Sequence, residues 1–89
     1  MIAFKVSVNG DRVCTVGVGW DGVLTAGVMR PPHFGPRLQA SGLEVATNEH
    51  LEWTVPKIKV GDKICIEIIE ADSVDEPSRR EVVQERKPR

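Results

Sequence analysis

Aromatic side chains are scarce in this 89-residue chain: Phe4, Trp20, Phe34 and Trp53 are all it has, 4% of the sequence. A core cannot be built from so few rings, so aliphatic and β-branched residues must fill it. No charge of one sign dominates either. Twelve lysines and arginines stand against thirteen aspartates and glutamates, a formal net charge of −1, which gives the molecule no overall pull toward nucleic acid or an anionic membrane. No apolar run approaches the roughly 20 residues needed to span a bilayer. Met1-Ile2-Ala3-Phe4-Lys5 lacks the basic-then-apolar order of a secretory signal. These absences point to a cytoplasmic protein.

Groups that could carry chemistry are also few. There are two cysteines and two histidines. None of Cys14, His33, His50 and Cys65 has another of the set within the two-to-five-residue spacing of structural zinc pairs, so no metal or other cofactor is expected. Alternation places Cys14 with Val16 and Val18 on a core-facing side, and Cys65 opposite Ile64 and Ile66, beside Glu67. Those opposite facings argue against a disulfide, as does a reducing compartment. Catalysis would need titratable groups in reach of one another. The least favoured reading is an enzyme using Cys65 and His50, with His33 and Glu67 as further candidates. The acids Glu67, Glu70 and Asp72 read instead as solvated charges that discourage edge-to-edge pairing.

Gly17-Val18-Gly19-Trp20-Asp21-Gly22 has the spacing of a dinucleotide fingerprint, but that motif needs a helix after it to hold the pyrophosphate. Val23-Leu24-Thr25 favours a strand, and the six residues read as a hairpin turn. The late bases Arg79 to Arg89 are interleaved with Glu81 and Glu85 and have no aromatic partner for base stacking, which argues against nucleic acid.

What the chain does have is period-two alternation, the pattern of half-buried strands. Ile2, Phe4, Val6 and Val8 share one face, and Ala3, Lys5 and Ser7 the other. Asn9-Gly10 tolerates positive φ and predicts a hairpin to a strand over 13–18. Asp21-Gly22 repeats that turn chemistry before a strand over 23–29, in which Gly27 suggests a bulge or a close backbone approach. Three prolines exclude regular structure over 30–37. Residues 38–45 read as two short strands or as one with a bulge at Gly42. Residues 51–55 form a short strand ended by Pro56. An extended piece, 58–60, leads through Gly61-Asp62 to the plainest strand, 64–70.

Composition changes after residue 71. Residues 72–89 hold five acids and five bases, and Ser78-Arg79-Arg80-Glu81 has capping-box spacing. The division drawn is a β domain over 1–71 and a charged tail over 72–89, partly disordered or with a short helix from about 78 to 86. The fold class is all-β: a small antiparallel sandwich or barrel of five to seven strands.

Two segments, Phe4 to Gly10 with Val13-Cys14 and His50 to Ile66 running to Asp75-Glu76-Pro77, resemble those of a group of small uncharacterised bacterial β-rich proteins. The resemblance implies a bacterial or phage source and no activity. The function favoured by the residues themselves is a small non-catalytic binding module, an immunity- or inhibitor-like protein that engages an unknown protein partner. The alternative is a small-ligand or nucleotide-binding barrel. Trp20, His33, Phe34 and Trp53 form the candidate binding patch, since exposed aromatics concentrate interface energy. An unprotected edge strand would also permit homo-oligomers.

Overall fold

Backbone pairing turns these alternating segments into two sheets. The computed structural model describes residues 1–83. Seven strands lie among them: β1 (Ile2–Val8), β2 (Asp11–Gly17), β3 (Val23–Met29), β4 (Arg37–Glu44), β5 (Glu49–Glu52), β6 (Ile64–Glu70) and β7 (Arg79–Val82). The first sheet has the order β2-β1-β6 and the second β3-β4-β5-β7, and all pairs are antiparallel. Each sheet keeps two edges, so the architecture is an open sandwich and not a closed barrel. No helix occurs among the described residues that is long and apolar enough to cross a membrane.

Val6, Cys14 and Val16 from the first sheet meet Leu38, Ala40 and Leu51 from the second, with Val18 and Trp53 closing the cluster. Aliphatic residues do fill the core, and Val6 and Val16 are wholly buried. The core runs out at one end. Ile2 and Ile68 sit on the core-facing side of their strands yet remain 50% and 73% exposed, against the expectation that both would be inside.

Asn9 and Gly10 take φ of 53° and 87°, and the β1–β2 hairpin forms where the sequence places it. A register shift between Val6 and Ser7 leaves Val13 as the extra residue of a bulge. Gly27, where a bulge or a close backbone approach was expected, pairs in unbroken register with Gln39 and has nothing within 4 Å of where a side chain would stand, and β4 is one continuous strand past Gly42. The hairpin expected at residues 17–22 does not form. β2 and β3 belong to different sheets, and the turn carries the chain across the sandwich. Neither Asp21 nor Gly22 has positive φ; Gly22 is needed for space, because a Cβ there would lie 2.5 Å from the Leu43 carbonyl oxygen. Residues 58–60 pair with no strand, and the chain turns at 60–61, where the Asp62 N–H donates to the Lys59 carbonyl at 3.1 Å.

The segment after β6 departs furthest from the sequence reading. It leaves at Ala71, whose N–H donates to the Met1 carbonyl at 2.8 Å. Val74 and the Met1 sulfur then lie against Gly17, on the side where Ala3 also sits, and Ala3, on the supposedly solvated face of β1, is 0% exposed. Asp75 reaches the free edge of β2, and Ser78 donates to the Glu52 carbonyl as the chain joins the second sheet. In place of the short helix expected from residue 78, residues 79–82 are β7, paired with β5. The rest of that expected helix, 84–86, and the remainder of the tail lie outside the described residues. β7 has no apolar alternation because it buries little: all four of its residues are exposed.

Candidate functional site

The turn between β2 and β3 displays Trp20. Its backbone is held from three sides. The Gly22 N–H donates to the Gly19 carbonyl at 2.8 Å, the Gly19 N–H donates to Glu44 Oε2 at 2.9 Å, and Gly22 packs against β4 as described. The indole itself is 90% exposed. A large apolar side chain held in water on a fixed turn loses little conformational freedom when it is buried by something else.

Beside it lies a cavity of about 290 Å³ lined by Met1, Ile2, Phe4, Val18, Trp20 and Leu24, with Gly19 and Gly22 at its rim. This is the end where the core runs out. The lining is almost entirely hydrocarbon and holds no charged side chain. It suits an apolar side chain or a small apolar ligand; the cation on its lining, the Met1 ammonium, is already engaged by Glu70 at 3.2 Å and the Ala71 carbonyl at 2.8 Å.

The other three patch residues lie elsewhere. Trp53 is 5% exposed and belongs to the core; its indole N–H donates to the Asp75 carbonyl at 2.7 Å. It cannot present a surface, which corrects its place in the patch. Pairing runs one residue past β5, with the Trp53 N–H on the Ala40 carbonyl at 3.1 Å, and the ring belongs to the core cluster with Val6, Cys14 and Leu51. His33 and Phe34 sit in the proline-rich loop after β3. There the Phe34 N–H donates to the Pro31 carbonyl at 3.2 Å, and His33 takes φ of 66°. Phe34 is 63% exposed, and the Arg37 guanidinium lies 5.6 Å from its ring centre. Trp20 and Phe34 are therefore at opposite ends of β3, separated by six strand steps of about 3.3 Å, roughly 20 Å. One chain does not join them into one patch.

The Cys65–His50 pairing does not form either. Cys65 is exposed on the outer side of β6, and His50 lies on the other sheet, 3.8 Å from Glu52. Cys14 is buried, both thiols are free, and burial pushes the Cys14 thiol up, with Asp75 adding to this and Arg12 opposing it. Among the described residues no three His, Cys, Asp or Glu side chains gather as metal ligands. Arg79 and Arg80 are engaged by Glu81, Glu76 and Glu49.

Two aspartates missed by sequence reasoning organise the frame. Asp75 Oδ2 accepts the Thr15 N–H at 3.0 Å and an Arg12 N–H at 2.9 Å, while its own N–H donates to the Thr15 carbonyl at 2.9 Å. The Thr15 N–H, then the Arg12 guanidinium, hold its carboxyl below the usual carboxylate range. Asp62 is lowered first by the Asn9 side-chain amide and then by the Lys59 N–H. Asn9 in turn accepts the Lys63 N–H at 2.9 Å, which ties the first hairpin to the start of β6. The Gly61-Asp62 turn signal marks the second site; nothing in the local pattern marks the first.

No protein-family model matches this chain, no curated protein matches it, and no solved structure matches its fold.

Proposed function

We propose that this protein is a small non-catalytic binding module whose partner is another protein, as in immunity or inhibitor proteins that block an enzyme. The observation that carries this reading is Trp20, 90% exposed on a fixed turn beside an apolar cavity. Tryptophans that become fully desolvated beside a pocket are the commonest anchors of protein interfaces. The cavity's largely apolar lining favours an inserted aliphatic side chain over a nucleotide, whose phosphates would have to compete with Glu70 for the Met1 ammonium. A small apolar ligand is the second reading, supported by the same lining and by a volume near the lower end of ligand sites, about 300 Å³.

The test is capture from a lysate of the source organism with the tagged chain, followed by affinity measurement on the recovered partner. The reading predicts a stoichiometric protein whose affinity falls by at least about thirtyfold with Trp20→Ala, equivalent to an anchor worth about 2 kcal/mol. Retention of no protein, or a partner indifferent to Trp20→Ala, contradicts it.

A further inference from the structure

The four sheet edges are treated differently. β2 is closed at Thr15 by Asp75. β7 is four residues long and carries Arg79, Arg80 and Glu81. β6 is open, but its middle residue is Glu67, so two copies pairing about a two-fold axis there would set Glu67 against Glu67, and like charges directly opposed destabilise a sheet. β3 is seven residues, Val-Leu-Thr-Ala-Gly-Val-Met, without charge, proline or bulge, and Val23, Val28 and Met29 are 60%, 53% and 44% exposed. Among the described residues, none of the devices that blunt exposed edges is present.

We propose that β3 pairs antiparallel with β3 of a second copy of this chain about a two-fold axis at Ala26, making one eight-stranded sheet across the dimer. The strand is its own complement in that register. Ala26 meets Ala26, Leu24 meets Val28, Thr25 meets Gly27 and Val23 meets Met29, so every cross-strand pair is uncharged. Gly27 has open space where a side chain would stand, with nothing within 4 Å, and leaves room for Thr25 of the other copy. A closed two-fold also satisfies the edge once, which a sheet open on β3 otherwise leaves available for endless pairing.

The consequence bears on the binding site. Antiparallel pairing puts the start of one β3 beside the end of the other. Trp20 of each copy then lies at the same end as the Pro31-Pro32-His33-Phe34 loop of its mate, so Trp20 and the His33-Phe34 pair, which one chain keeps roughly 20 Å apart, come together twice in the dimer. This last step rests on the binding reading; the dimer does not. A seven-residue edge is at the small end of interfaces, below about 1,200 Å², so the dimer dissociates on dilution.

The experiment is sedimentation velocity of the untagged chain from about 1 μM to 1 mM, with Thr25→Lys and Ile68→Lys for comparison. Thr25 and Ile68 are both exposed, so neither change removes core packing. The proposal predicts a dimer that grows with concentration, weakened at least tenfold by Thr25→Lys and unchanged by Ile68→Lys. As a second measurement, Ala26→Cys with Cys65→Ser is predicted to oxidise to a covalent dimer through position 26. A wild-type chain monomeric at 1 mM, or a dimer dissolved by Ile68→Lys and not by Thr25→Lys, overturns it. A dimer seen here together with no protein captured from lysate would keep the dimer and remove the binding reading.

Discussion

β2 and β3 are both seven-residue edge strands joined by one short turn, yet one is finished and the other bare. On β2, Thr15 has both backbone groups engaged by Asp75, with Arg12 bracing the carboxylate. On β3, nothing is supplied to the edge from within the described chain. The difference shows where this small protein concentrates its polar contacts. A single aspartate, delivered by the crossing segment 71–78, closes one edge and fastens the two sheets together through Trp53, while three exposed apolar side chains stay on the other edge. An exposed apolar edge is a hazard unless something covers it, and the proposed dimer is that cover.

The largest effect is expected on the closed side. Trp53→Ala removes a buried indole from the core together with its hydrogen bond to Asp75, and is expected to cost about 3–5 kcal/mol. That is a large part of the roughly 5–10 kcal/mol a domain this size holds. Urea denaturation followed by circular dichroism checks it. Trp53→Phe, which keeps most of the packing, is expected to lose a smaller share. Indifference to Trp53→Ala would break the view that the crossing segment joins the sheets.

Asp75→Asn comes next, with a loss on the order of 1 kcal/mol at pH 7, small because the carboxylate is half in water. Its pH dependence sharpens the assignment. The folded carboxyl is depressed, so its contribution is complete above the unfolded value of about 3.9 and is lost as pH falls through the folded value below it. Urea midpoints of wild type and variant are therefore expected to differ at pH 7 and pH 5 and to converge toward pH 3. Asp62 is depressed too, but it is present in both proteins and does not produce the convergence.

The smallest effect is expected on the bare side. Trp20→Ala is expected to change stability by no more than about 0.5 kcal/mol, as for most exposed positions, while it weakens partner affinity. A large stability loss there would mean that the indole is a packing element after all.

Much of the frame is legible in the residues, and the misses share a cause. Strands carried by local alternation and turn chemistry, as at Asn9-Gly10 and over Val23–Met29, read directly from the chain. β7 does not, because an exposed charged strand pairs through its backbone and leaves no apolar period to read. Trp53 reads as a surface residue for a related reason: it is buried in a core drawn from both sheets and its indole is held by the Asp75 carbonyl, twenty-two residues on, which no local pattern encodes. Trp20 was legible because a tryptophan inside a glycine-rich turn has little nearby to bury it. The split of Trp20 from Phe34 was not, since it follows from the turn crossing between sheets where a hairpin was expected.

The most direct measurement of the contrast between the edges is amide hydrogen exchange on the wild-type chain at two concentrations, about 5 μM and about 500 μM. The account predicts that the Thr15 amide is protected at both and that the outward-facing amides of Val23–Met29 exchange quickly when dilute and slow down when concentrated. A Thr15 amide as open as those of β3, or β3 protection that does not change with concentration, would contradict it.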